Sequence, residues 1–591
     1  MIKRSHLVFG SLVLVAGASL FLWERSRRPS FRAGYAARPS GSLTFSKDIA
    51  PIVFENCSPC HRIGETSPFT LLNYDDVRKR AESIARVTQS RYMPPWLPAK
   101  GFAEFAHERL LTDEQIGMIQ QWVAEGKKEG RPEDIPNPPR WTEGWQLGVP
   151  DLIARMPQDY KVPAEGKDIY RNFVIPLSLD APKYVVGVEF RPGGAKVVHH
   201  AFISLDQTRE SRRLDEKDAE PGFSGIHTPP TAQSPEGHFL TWQPGKIPRK
   251  TDPSMAWTLE PGTDLVLQVH LQPSGKEEHF QPSIGFYFSP EKPSKTPSKV
   301  YLTSYSIQIP AGAANYAVED VYTLPIDVDL LGVLPHAHYL ARRMEVWATL
   351  PTGERRELLL IPNWDFNWQG DYEYKEPISL PKGTQLAMHF TYDNSEANVR
   401  NPNHPPKPVS YGLQTTDEMA EVWFRLLPKT SEDIQKLHES IKARLVRDGI
   451  AYNSYLLEKN PRDGLAHANL ALRMLQLRRM DDALAHAKKG AELEPDNETV
   501  HYNLALVLDV RKQQREAEAE YARVLELNPD NLKARNNLGL LEYGRADFDG
   551  AEHQFREALR IKPGDPIAQS NLELVLRGRG IATPSSSQPA H

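Results

Sequence analysis

The sequence predicts a multidomain chain with a small all-α unit, two all-β domains and a C-terminal α-solenoid. Three observations predict it. A Cys57-Ser58-Pro59-Cys60-His61 run sits between helical segments, a central region of apolar strands carries paired histidines, and Pro461, Pro495, Pro529 and Pro563 recur every 34 residues. A length of 591 residues calls for several domains, and 25% charged with 40% hydrophobic residues is ordinary for globular material. The net charge of −5, with basic residues scattered beyond the N-terminal segment, excludes a nucleic-acid groove.

Lys3 and Arg4 precede an uncharged stretch, Leu7 to Trp23, long enough for a signal segment or a short span. Bulky Leu20 to Trp23 and then Arg25, Arg27 and Arg28 leave no convincing cleavage site, so residues 1–30 are expected to be a membrane anchor. Residues 41–145 are expected to form the all-α unit, with Phe45 to Asn56 a short amphipathic helix entering the cysteine motif. C-x-x-C-H is the attachment pattern of c-type haem: two thiols add to the vinyl groups and His61 becomes the proximal iron ligand. There is no second cysteine pair for zinc and no βαβ pattern for a thioredoxin-like pair. Met93, in the proline-stiffened Arg91-Tyr92-Met93-Pro94-Pro95-Trp96, is the expected sixth ligand. His107 is the runner-up, and Met118 is less suited because it falls on the helical segment Thr112 to Glu125. Gln120-Gln121-Trp122-Val123 in that segment resembles the last helix of small cytochromes c. Such haem is attached outside the cytoplasmic membrane, so a periplasmic, anchored protein is expected.

Residues 146–290 and 291–430 read as β domains joined near Pro290 to Pro297, after a proline-rich joint at 132–139. Leu265 to Leu271 reads as a strand containing His270, and by itself His270 reads as a satisfied core residue. Ile326 to Thr349 reads as extended, and on a strand His336 and His338 share a face. His199 and His200 are adjacent and can meet at one ion only if the backbone bends, which Pro192-Gly193-Gly194 upstream suggests. Three imidazoles (His199, His200, His270) and then two with a thioether (His336, His338, Met419) make two sites for a soft redox metal, and two copper ions fit them best. Met419, opening an apolar run, also reads as core filler.

The ordered series His-His, Val-His-Leu, His-x-His and Asp417-Glu418-Met419 resembles the copper type II, ascorbate-dependent monooxygenases, the peptidylglycine and dopamine hydroxylases, over roughly residues 165–430. The resemblance implies two jelly-roll-like β-sandwiches, each holding one copper. His199, His200 and His270 would hold the electron-storing ion, and His336, His338 and Met419 the one that activates O2. It also implies insertion of one oxygen atom into a substrate C–H bond. The chain departs from the animal enzymes in having only two cysteines. It also has Leu334 where the peptide-amidating branch has a carboxylate-gripping arginine, so a glycine-extended peptide is not the expected substrate. Leu334 with Trp364, Phe366, Trp368 and Trp423 would suit a hydrophobic or aromatic small molecule, or those aromatics form core.

Leu426 to Leu457 reads as helical, and 431–463 as a connector to repeats over 464–580, with a disordered tail at 581–591. Asn469-Leu470-Ala471, Asn503-Leu504-Ala505 and Asn537-Leu538-Gly539, with Ala483, Ala517 and Ala551, keep the proline period. The pattern resembles the tetratricopeptide repeat, which implies a docking surface for a protein partner. The expected whole is a monooxygenase whose electrons come from the fused haem, fed by an upstream donor, with O2 and a small-molecule or peptide-like substrate. The alternative is a non-catalytic haem- and copper-binding scaffold or sensor. A cytochrome-fed copper reductase is a third reading, weakened because both cysteines are already used.

Overall fold

The computed structural model describes residues 34–580 except 64, 66, 138–143, 195, 226, 227, 230 and 563. The expected anchor at 1–30, the tail at 581–591, Pro138, Pro139 and Pro563 lie outside the described residues. Among the described residues, no helix is long and apolar enough to cross a membrane.

The N-terminal unit is helical. A π turn at Phe45–Ile49 runs into helix Ala50–Asn56, and helices Tyr74–Gln89 and Asp113–Ala124 follow. Asn73 caps the second of these, and Thr112 with Gln115 forms a reciprocal capping box on the third. Their apolar stripes close on one core around Phe45, Val53, Val77, Ala81, Ile116 and Trp122. Trp122 Nε1 donates to the Lys128 carbonyl at 2.9 Å, so the buried indole leaves no donor unpaired. Cys57 and Cys60 lie just past the first helix, and Met118 packs at the edge of the core.

Among the described residues, two pairs of larger antiparallel sheets, with two small two-stranded ones beside them, make up the β-rich middle. In the first pair, a four-stranded sheet runs Leu152–Arg155, Ser283–Ser289, Lys183–Arg191, Trp257–Leu259. It shares a core with a five-stranded sheet ordered Phe223–Ser224, Ile169–Pro176, Asp264–Leu271, Val198–Asp206, Thr241–Trp242. Along Asp264–Leu271 the odd positions Leu265, Leu267, Val269 and Leu271 enter that core, and Val266 joins a smaller cluster on the opposite face. A period of two therefore places His270 on the face away from the main core.

The second pair sets Ser298–Thr303, Glu421–Pro428, Val328–His336 and Tyr372–Leu380 against Tyr316–Thr323, Gln385–Tyr392, Ala341–Thr349 and Arg355–Ile361. Val300, Leu330, Val333, Met344, Val346, Phe390, Phe424 and Leu426 fill the space between them. Leu426 to Pro428 is strand rather than the helix expected from sequence. Val422, Phe424 and Leu426 alternate into the core, and the helix starts only at Ser431, behind the Thr430 cap.

Two contacts tie the flanking regions to this middle. The loop after the second N-terminal helix pairs with the second sheet pair through Ala99 N–H to Leu360 O (2.7 Å) and Ala106 N–H to Glu373 O (2.8 Å), and Phe105 stacks on Tyr374. Helix Ser431–Lys459 lies on the same sheet pair, where buried Arg444 bridges Asp320 and Asp448. From there seven helices, Gly464–Gln476 to Pro566–Gly578, stack as three antiparallel pairs and a closing helix. Close approach sets their small residues: a Cβ on Gly490 would lie 2.8 Å from the Gly464 carbonyl oxygen.

Arg444→Met would leave the two carboxylates facing each other under the helix. Loss of a buried ion pair's partner costs about 3 kcal/mol or more. Urea unfolding should show that loss, and limited proteolysis should cut near the helix faster than in the wild type.

Candidate metal centre

His199, His200 and His270 converge on the outward face of the five-stranded sheet, their ligand-capable atoms within 4.8 Å of one another. The register explains how adjacent histidines do so. Val198 pairs with Leu271 and His200 with His270, so His199 is the extra residue of a β-bulge. His199 Nδ1 lies 3.0 Å from His200 Nδ1, and His270 Nε2 is 2.7 Å from Asp168 Oδ2. With Nε2–H donated to that carboxylate, His270 Nδ1 carries the lone pair; it is buried without a hydrogen-bond partner. Burial, then the neighbouring His270, pushes His199 down to about 4, and the same two causes take His200 well below the ordinary imidazole value. Neutral, partly desolvated imidazoles, with the His270 Nδ1 lone pair unclaimed, are a donor set for a metal cation, so the three residues fit one.

His336 and His338 also come together, for a reason different from the expected shared strand face. The strand ends at His336, and His338 lies beyond it in a buried turn; the rings are 5.3 Å apart and perpendicular. Each ring has one nitrogen claimed: His336 Nδ1 by Gln369 Oε1 (2.5 Å) and His338 Nδ1 by the Asp417 carbonyl (3.0 Å). Both Nε2 atoms are thereby left as donors to an ion. Burial, then the nearby His336, pushes His338 down to about 3. Glu418, fully buried, accepts the backbone N–H of His338 (2.9 Å), Leu340 (2.7 Å) and Met419 (3.1 Å), so one carboxylate holds the histidine turn beside the methionine. Burial pushes its own carboxyl up to about 8 against the pull of those donors. The Met419 side chain counts within the second core.

One short turn touches both groups. Phe366, 3% exposed, stacks on His199 (5.3 Å between centroids) and meets His338 edge-on (5.7 Å). Asn367 faces His199, and Gln369 holds His336. Of the other aromatics, Trp364 is buried and donates to the His338 carbonyl, Trp423 stacks on Tyr301, and Trp368 packs against Tyr92. Asp168, Glu418 and Gln369 were not singled out from sequence. Glu418 carried the one available signal, an acid directly before Met419 in the Asp417-Glu418-Met419 run.

At the cysteine motif, Cys57 and Cys60 are free thiols, and burial pushes Cys57 up to about 12. His61 Nδ1 lies 2.6 Å from Ser67 Oγ, which is also 2.9 Å from the Phe69 carbonyl oxygen. With Nδ1 engaged by that hydroxyl, Nε2 is left to act as a ligand. Cys60 opens on a cavity of about 750 Å³ between the N-terminal unit and both sheet pairs. Two thiols, an oriented imidazole and an adjoining cavity fit a covalently held haem. Met93 is half-buried in the loop after Tyr74–Gln89, with its N–H on the Val87 carbonyl; Pro95, two residues on, lines the cavity. His107 is exposed.

Comparison with known proteins bears on the C-terminal part alone. Residues 502–566 match the tetratricopeptide repeat family. No curated protein matches the chain. Among solved structures, a MamA crystal structure is 20% identical over 26% of this chain and 86% of its own, with a TM-score of 0.22. The first tetratricopeptide domain of Spaghetti, solved bound to an HSP90 peptide, is 19% identical over 20% of this chain and 94% of its own, with a TM-score of 0.20.

Asp168→Ala should free the His270 tautomer and weaken metal binding at the three-histidine group by roughly 10–100-fold, read by calorimetric titration with copper. Glu418→Gln replaces one acceptor oxygen by an NH2 group that faces a backbone N–H. It should cost about 1–3 kcal/mol in urea unfolding and weaken binding at His336 and His338, while the three-histidine group keeps its affinity.

Proposed function

We propose that the chain is a copper-dependent monooxygenase that inserts one atom of O2 into a substrate C–H bond and releases the other as water, with two electrons and two protons supplied. The observation that carries this reading is the pairing of two separate histidine groups across Phe366, one of three imidazoles and one of two beside Met419. His199, His200 and His270 would hold one copper, and His336, His338 and Met419 the other. When bound, the copper ions supply one-electron redox chemistry and reduction of O2.

The remaining work falls to the chain. Asp168 and Gln369 fix ring orientation, Glu418 keeps the His338 turn in register with Met419, and Phe366 packs against a ring of each group. Cys57, Cys60, His61 and Met93 would hold a haem, which would supply one-electron transfer from an upstream donor. Because the haem unit is stitched to the second sheet pair, no diffusible reductant is needed at the site. Within this reading the two sheet pairs are the jelly-roll-like sandwiches and the N-terminal unit is the cytochrome. The protein works outside the cytoplasmic membrane, anchored by residues 1–30, and the repeats dock a protein partner.

The second reading, a haem- and copper-binding scaffold that docks partners, is favoured by the one family match, which lies wholly in the repeats. Metal and haem stoichiometry separates the two. The monooxygenase should carry two coppers and one haem per chain, with one copper lost or weakened in His199→Ala and one in Met419→Ala. Haem without copper after copper loading would end the enzyme reading.

A further inference from the structure

On the outer face of the sheet that carries His336, a series of aromatic rings leads away from the second histidine group. Val422, Phe424 and Leu426 turn into the core, so Glu421 and Trp423 share the outward face with His336. Glu421 is the register partner of His336, and Trp423 lies between Leu334 on one neighbouring strand and Tyr301 on the other. Trp423 and His336 are therefore diagonal neighbours on one face, about 7–8 Å apart at the backbone. Beyond Trp423 the rings continue. Trp423 stacks on Tyr301 at 4.5 Å between centroids, and the Tyr301 and Tyr305 hydroxyls are 3.5 Å apart. Tyr305 meets Tyr411 at 5.0 Å and Tyr452 at 5.1 Å. Tyr452, on helix Ser431–Lys459, is partly exposed and brings the series to the surface.

Packing does not require these rings to be tyrosine. Phenylalanine at positions 301 and 305 would fill nearly the same volume without desolvating a hydroxyl. The two hydroxyls gain little from each other, because 3.5 Å is the outer limit of a hydrogen bond. A carboxylate also lies among them. Trp423 Nε1 donates to Glu421 Oε2 at 3.3 Å. Burial raises the Tyr301, Tyr305 and Tyr411 hydroxyls most, and the Glu421 charge raises each further, so Glu421 is near all three. An indole and phenols in ring contact, with one proton acceptor among them, start beside a histidine group and end at the surface. One-electron transfer coupled to proton movement needs that arrangement.

We propose that Trp423, Tyr301, Tyr305 and Tyr452 form a relay that carries oxidising equivalents from the second histidine group to the surface, so that oxygen reduced there without a substrate does not destroy the ligands. The inference rests on the reading of His336, His338 and Met419 as copper ligands. O2 that takes up two electrons and two protons without meeting a C–H bond reaches the level of peroxide. Peroxide given one further electron splits into hydroxide and a one-electron oxidant of the hydroxyl-radical class. Trp423 gives this oxidant one electron and its Nε1 proton, the proton by way of Glu421, and water forms. Tyr301 then returns one electron and one proton to the indole, Tyr305 does the same for Tyr301, and Tyr452 for Tyr305. A thiol or enediol reductant in solution supplies the last electron and proton at Tyr452. Each step moves one electron and one proton, so no charge is left in the sheet.

The test uses the full-length holoprotein, loaded with copper, reduced, and mixed with hydrogen peroxide in the absence of substrate. Freeze-quench EPR reads the organic radical, and tandem mass spectrometry reads oxidation of His336, His338 and Met419. Copper-free protein treated in the same way sets the background from the haem. The copper-loaded wild type should give a tyrosyl signal well above that background. Tyr301→Phe and Tyr305→Phe keep the rings, and each should lower the signal and raise oxidation of the three ligands several-fold. Tyr452→Phe should leave a radical within the sheet that ascorbate removes several-fold more slowly. Tyr502→Phe, in the repeats, should change neither readout. A tyrosyl signal no larger than the copper-free background, or wild-type levels of radical and ligand oxidation in Tyr301→Phe and Tyr305→Phe, would overturn the relay alone. Wild-type protein that takes up no copper at the second group would overturn the ligand reading and the relay with it. Should Tyr301→Phe not accumulate, Tyr305→Phe decides on the same two measurements.

Discussion

The packing of Phe366 between His199 and His338 is the contact on which the candidate site depends. A single aromatic ring in van der Waals contact with an imidazole from each sheet pair sets the separation of the two histidine groups. The ring is held by the turn that bears it. Asp365 caps that turn through the Asn367 N–H at 3.0 Å, Arg400 pairs with Asp365, and Arg400 also donates to the Trp364 carbonyl. A rotation of one sheet pair against the other must first displace this ring, so the turn converts packing between domains into spacing between sites.

A second regularity concerns nitrogen lone pairs. His61, His270, His336 and His338 each have one ring nitrogen claimed by a fixed partner: Ser67, Asp168, Gln369 and the Asp417 carbonyl, respectively. An imidazole anchored at one nitrogen presents the other in a defined direction. Buried polar groups are costly unless satisfied, so His270 Nδ1, buried without a partner, is an arrangement that packing by itself does not favour.

The flanking regions act on this centre through the second sheet pair. The 99–106 loop lies along Leu358–Tyr374, and helix Ser431–Lys459 seats on the same sheets with Tyr455 Oη on the Tyr411 carbonyl. The repeats also meet the first sheet pair, where Arg213 pairs with Glu498 at 2.6 Å. A partner bound to the repeat array would therefore load both halves of the β-rich region.

Local pattern was enough for much of this. The 34-residue period follows from where proline must end helices and where small residues let helices touch. The alternation in Asp264–Leu271 and Glu421–Pro428 follows from the pleat, although an apolar run such as Leu426 to Pro428 reads equally as a helix start until its strand partners are known. The type and order of the histidines, and the Cys57 to His61 run, supply the donor types, because donor identity is a property of the residue. Which donors meet is not. The bulge at His199, the strand end between His336 and His338, the carboxylates of Asp168 and Glu418, and the placing of Phe366 all come from segments tens to hundreds of residues apart. Their meeting depends on sheet register and on how the two sheet pairs pack, which no local spacing encodes.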